Sequence, residues 1–282
     1  MAVAVFMVFG AFVVEASAQT AKEYANIINL AGRQRMLTQK MSKEMCLIAL
    51  GVNAAENRSE LKKTADLFDK THKGLIKGSA ELGLPPTTNE GTLTVMKRVG
   101  DQWVAFKAIV DGVVGGGAVS VDRVASLNGP LLEDMNTAVR IYEKDAKTAA
   151  GLDAGVVINL AGKQRMLSQK LSKEILLVAL KHDAAGNVAN LKQTVALFDR
   201  TMRGLKSGDD DLKLPATKDQ AIVAQLDKAQ AVWANLKPVA EKVMNGAASG
   251  VSNDDVKKVA ELSVQLLQEM NKAVQMYQAA QK

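Results

Sequence analysis

The chain has 282 residues, 48% hydrophobic but only 4% aromatic, with a formal net charge of +6. That is enough apolar sequence for one large domain or two ordinary ones, and a chain rich in Ala, Leu, Lys, Gln and Met suits helices rather than sheets. Basic and acidic residues are mixed rather than blocked, so the charge favours anionic partners only weakly and argues against a nucleic-acid-binding tract.

Residues 1–18, MAVAVFMVFGAFVVEASA, are apolar and end in Ala16-Ser17-Ala18, a small-x-small pattern. A signal peptide cleaved before Gln19 is expected, although the segment lacks Lys and Arg and carries Glu15. The alternative is an uncleaved N-terminal membrane anchor. No later run of 18 apolar residues follows, so no second span is expected.

Beyond it, periodicity and breakers predict four helices over roughly 21–50, 57–80, 89–114 and 120–149. Gly51-Val52-Asn53, Gly83-Leu84-Pro85-Pro86 and Gly115-Gly116-Gly117 mark the joints. Four more helices are predicted over roughly 151–182, 187–206, 217–245 and 252–280, the last capped by Ser252 or Asn253. Between 143 and 162 there is no Pro, so the fourth helix can run straight into the fifth; Gly151 and Gly155 leave a break as the alternative.

The two sets of four are copies. NLAGRQRMLTQKMSKE (29–44) returns as NLAGKQRMLSQKLSKE (159–174), and LKKTADLFDKTHKGL (61–75) as LKQTVALFDRTMRGL (191–205). Trp103 matches Trp233, and LLEDMNTAVRIY (131–142) matches LLQEMNKAVQMY (266–277) with the offset grown from 130 to 135. Repetition at this length indicates a duplicated domain. The expected organisation is all-α: a signal peptide over 1–18, then two tandem up-down four-helix bundles over 19–149 and 150–282.

On a helix, Ile28, Gly32, Arg35, Gln39 and Ser42 fall in one stripe, and Leu30, Leu37, Met41 and Ile48 in an apolar one beside it. The second copy repeats both, with Ile158, Gly162, Arg165, Gln169 and Ser172 in the first. Glycine within a helix costs about 1 kcal/mol relative to alanine, a cost accepted where a backbone or ligand comes close. Arginine offers a planar fork of donors suited to small oxyanions. Two forks, one per copy, would repel each other unless an anion lay between them, and Gln39 and Gln169 can add hydrogen bonds. The competing reading is an inherited packing motif whose arginines pair with acids such as Glu23 or Asp153. Arg33 and Lys163, basic in both copies, either attract anions or face solvent.

Other chemistry is thin. His72 and His182 fall at non-equivalent positions, opposite Met202 and Val52, which argues against a shared metal site. The chain lacks a C-x-x-C-H haem motif, a nucleotide fingerprint and a paired-carboxylate di-iron motif, so no enzyme, no cofactor and no metal is expected. Asp209-Asp210-Asp211 reads as a solvated joint. The single Cys46 sits in an apolar run opposite Leu176 and reads as packing.

The phrase Asn-Leu-Ala-Gly-x-Gln-Arg-Met-Leu-Ser/Thr-Gln resembles the signature helix of the periplasmic sensor domain of type IV pili chemotaxis transducers. It is also similar to a box in the nitrate/nitrite sensor kinases. The resemblance implies a four-helix sensor bundle outside the inner membrane, present once per copy. It further implies nitrate binding by the arginine before Met at a symmetric seam between two subunits. That role falls here on Arg35 and Arg165, with Gly32 and Gly162 as the motif glycines and Asn29 and Asn159 as its opening. One chain is thereby expected to imitate the two-subunit seam. Transducers and kinases also carry two spans and an output module, which this sequence does not show. The expectation is a soluble periplasmic sensory or ligand-binding protein, with a small anion such as nitrate or nitrite, a membrane receptor or sensor protein, or a second copy in a homodimer as partners. The alternative is a non-catalytic structural or interaction bundle of the cell envelope.

Overall fold

The computed structural model describes residues 20–150, 155–246 and 250–280. The expected signal peptide and the joint between the fourth and fifth helices at 151–154 lie outside the described residues. Among the described residues there are eight long helices: α1 (Ala21–Ala49), α2 (Ala54–Lys77), α3 (Glu90–Val114), α4 (Val121–Ala150), α5 (Gly155–Ala179), α6 (Ala184–Ser207), α7 (Gln220–Gly246) and α8 (Asn253–Ala279).

The helix ends follow from local chemistry. Thr20 and Glu23 form a reciprocal capping box at α1, and Ser252 and Asp255 form another at α8. Glu23 is thus committed to a cap and is not the partner of Arg35. Gly78 and Gly208 end α2 and α6 with φ near +81° and +87°. A Cβ on Gly78 would lie 2.9 Å from the Pro86 nitrogen, so the residue must be glycine where the chain turns back on itself. There Ser79 pairs with Leu84 in a short antiparallel ladder of β1 (Gly78–Ser79) and β2 (Leu84–Pro86), echoed by an Asp209–Leu214 bridge in the second copy.

Helices α1–α4 close into one up-down four-helix bundle and α5–α8 into a second. Each core repeats the same devices. Phe68 packs on Trp103 at 4.4 Å between centroids and Phe198 on Trp233 at 4.8 Å. The indole N–H of Trp103 donates to Asp69 and that of Trp233 to Asp199. Gln34 and Gln164 each donate to the carbonyl of the facing phenylalanine, Phe68 or Phe198, at 2.9 Å.

The bundles join through α1 and α5, which lie side by side and run in the same direction. Ile28 meets Gly155, Asn29 meets Arg165, and Gln39 meets Lys173 in rising order. From Asn29 to Ile48 every residue of α1 is buried except Arg33 and Lys40, which are half-buried. The Gly-Arg-Gln-Ser stripe is therefore no solvent face: it is a second interior surface, set against the other bundle. Among the described residues no helix is long and apolar enough to cross a membrane.

Candidate functional site

Arg35 and Arg165 meet at this seam. Each is only 3% exposed. Both guanidinium groups converge over Gly32, where an added Cβ would lie 3.2 Å from Arg35 Nη2 and 3.8 Å from Arg165 Nη2. Those two distances together bound the separation of the nitrogens at 7.0 Å. Gly162 gives Arg165 the same clearance, 3.2 Å to its Nη2. The two helical glycines therefore make room for the arginine heads.

Among the described residues, which do not include Asp153, the arginines hold neutral partners rather than acids. Arg35 donates to Asn136 Oδ1 on α4 at 3.2 Å and across the seam to Asn159 Oδ1 at 2.7 Å. Arg165 donates to Asn271 Oδ1 on α8 at 3.4 Å and across the seam to the Asn29 carbonyl at 3.1 Å. The Nε of each is buried without a partner, as is Asn29 Oδ1. Buried charges without counter-charge are costly. Burial pushes Arg35 down to about 10, with Glu143 opposing and Arg140 adding to the effect. Burial pushes Arg165 down to about 9, with Arg33 and Arg35 lowering it further and no acid in opposition.

The two halves differ at one supporting group. Asn159 donates its amide to Glu143. Its counterpart Asn29 donates to Gln278, the neutral residue at the equivalent place on α8. The Arg165 half also opens on a cleft of about 320 Å³ lined by Asn29, Arg33, Arg165 and Asn271. Arg33 is half-buried there and donates to Thr71 at 3.4 Å, and its pKa is lowered by burial. Lys163 is lowered by burial and by Arg35 and Arg140. Neither side chain is simply solvated.

Gln39 and Gln169 sit one turn further along and do not reach the arginines. Gln39 donates to Asn128 Oδ1 at 2.9 Å and accepts from Lys173 at 2.8 Å; Gln169 donates to the Ser263 carbonyl at 3.0 Å. Ser42 and Ser172 bond back into their own helices. Of the predicted residues, the structure brings together Arg35, Arg165, Gly32, Gly162, Asn29 and Asn159. It adds Asn136, Asn271, Glu143 and Gln278, which reading the first helix alone misses. The two asparagines were visible as the shared Asn of LLEDMNTAVRIY and LLQEMNKAVQMY.

His72 stacks on Phe68, and His182 Nδ1 lies 2.9 Å from Asp122. Among the described residues no cluster of three or more His, Cys, Asp or Glu side chains could hold a metal. Cys46 is buried, and burial pushes its thiol up to about 12.

The family described as "Type IV pili methyl-accepting chemotaxis transducer N-term" matches residues 17–123 and 148–259. The chain belongs to this family, and its all-helical structure is consistent with a non-catalytic sensory domain. It is similar to the methyl-accepting chemotaxis protein McpN of Pseudomonas aeruginosa, with 31% identity over 122 residues. That match takes in 43% of this chain and 22% of McpN, so the chain matches less than a quarter of its relative's length.

Proposed function

We propose that this chain is a periplasmic ligand-binding sensor that takes one small oxyanion of the nitrate class between Arg35 and Arg165. The observation that carries the reading is the convergence of two buried guanidinium groups over Gly32, bonded among the described residues only to amides. The two guanidinium nitrogens lie no more than 7.0 Å apart, close enough for one small oxyanion to accept a charge-assisted bond from each. An anion would cancel their mutual repulsion and supply the acceptors their Nε groups lack. The duplicated signature phrase supports a seam built from two sensor copies, like the two-subunit seam of nitrate sensors. Ligand state would then pass to a membrane receptor of the chemotaxis class.

Calorimetry on the purified chain with nitrate, nitrite, sulfate and acetate tests this. Saturable binding of a nitrate-class anion at one site per chain is expected, lost in both Arg35→Ala and Arg165→Ala. Absence of heat with every anion, with only a thermal cost from the substitutions, would return the chain to a structural role in the envelope.

A further inference from the structure

A second pair of cations, Lys43 buried and Lys173 half-buried, lies two turns beyond the arginines, and the duplication supplies its own control. Lys173 donates to Gln39 Oε1 at 2.8 Å and to Asn128 Oδ1 at 2.9 Å. Its counterpart Lys43 should meet Gln169 and the residue equivalent to Asn128, which is Ser263. The shorter serine hydroxyl accepts from Lys43 at 3.1 Å, and Gln169 Oε1 is buried without a partner. Lys173 therefore places bonds on two amides, while Lys43 uses one of its three donors.

Lys43 is 2% exposed and has no carboxylate within ion-pair range among the described residues. Burial lowers it to about 8, which leaves it an ammonium at neutral pH. It lines a groove of about 960 Å³ between α1–α2 and α8, together with Leu47, Val264 and Leu267. Val264 is 44% exposed, one of two large apolar side chains so exposed among the described residues. Three of the groove's four acids are committed, Glu44 to Lys40 and Thr64, Glu60 to Lys63 and Lys40, Glu261 to Gln265, while Glu56 on its rim has no ion pair among the described residues.

We propose that this groove is a second ligand site, in which Lys43 binds the carboxylate of a short aliphatic acid whose chain lies along Leu47, Val264 and Leu267. An ammonium with unused donors beside apolar walls matches a head-and-tail ligand better than an inorganic ion. The site shares no arginine with the oxyanion seam, although Leu267 and Asn271 line both this groove and the cleft beside Arg165.

The test is titration calorimetry of the full chain at pH 7 with acetate, propionate and butyrate, with butylamine as the opposite-charge control. Affinity should rise roughly fourfold per added methylene, and butylamine should give no heat. Lys43→Met should abolish butyrate binding. Ser263→Asn, which copies the sister site, should weaken it at least about tenfold. Both variants should keep wild-type circular dichroism, and Arg165→Met should leave butyrate binding unchanged. Butyrate binding that survives in Lys43→Met, that disappears in Arg165→Met instead, or that is absent from the intact protein overturns the proposal.

Discussion

Replacing Arg165 by methionine should make the ligand-free protein more stable. In the fold the guanidinium falls from its ordinary value to about 9, because burial, Arg33 and Arg35 all disfavour its charge. At about 1.4 kcal/mol per tenfold change, keeping Arg165 charged costs about 5 kcal/mol. Two hydrogen bonds offset this, at 3.4 Å to Asn271 and 3.1 Å to the Asn29 carbonyl. Bonds of that length to a charged donor return about 1.5 kcal/mol each. Methionine fills much of the same volume and removes the repulsion from Arg35, so a gain of about 2 kcal/mol is expected, within the range seen when buried charges give way to apolar residues. Urea unfolding in nitrate-free buffer reads it directly. Nitrate at a hundred times its dissociation constant should then stabilise the wild type by about 2.7 kcal/mol and the variant not at all. A variant less stable than wild type without nitrate, yet stabilised equally by nitrate, refutes the reasoning.

Three further outcomes follow from the same structure. Changing Gln278 to Glu gives Asn29 the carboxylate support that Asn159 draws from Glu143; it should stabilise the ligand-free protein in thermal melts and weaken the nitrate response by at least about tenfold. Burial lowers His72 to about 4, below its unfolded value. The unfolded chain therefore binds the extra proton first as pH falls, and about 3 kcal/mol of stability should be lost between pH 6.5 and 4. His72→Met, which copies Met202, should flatten that loss in urea unfolding across the range. Cys46, buried with its thiol raised to about 12, should react with a thiol reagent only after denaturation; fast labelling of the native protein would contradict its place in the core.

The architecture was legible because duplication writes the same signals twice. Joints at Gly51-Val52-Asn53 and Lys181-His182-Asp183 fall at matching places, and both copies break there with residues at positive φ. The Gly-Arg stripe was legible as a face that an ordinary core helix would not carry. What that stripe faces was not, since the apolar and polar stripes both end up interior once α1 lies against α5. The supports were harder still. Glu143 and Gln278, or Asn128 and Ser263, are positions where the copies differ, and comparing copies draws the eye to sameness. Their importance appears only when the chain returns, some hundred residues later, to the same few ångströms.

The side-by-side course of α1 and α5 in one polypeptide has an evolutionary consequence. In an assembly of identical subunits, every substitution lands on both sides of the axis at once. Here the axis is only approximate, and each half can change alone. One asparagine leans on a carboxylate and its twin on an amide; one lysine bonds two amides and its twin a single hydroxyl beside a groove. Covalent linkage also keeps the two halves together at any dilution. A seam that began as a mirror has become free to acquire a left and a right.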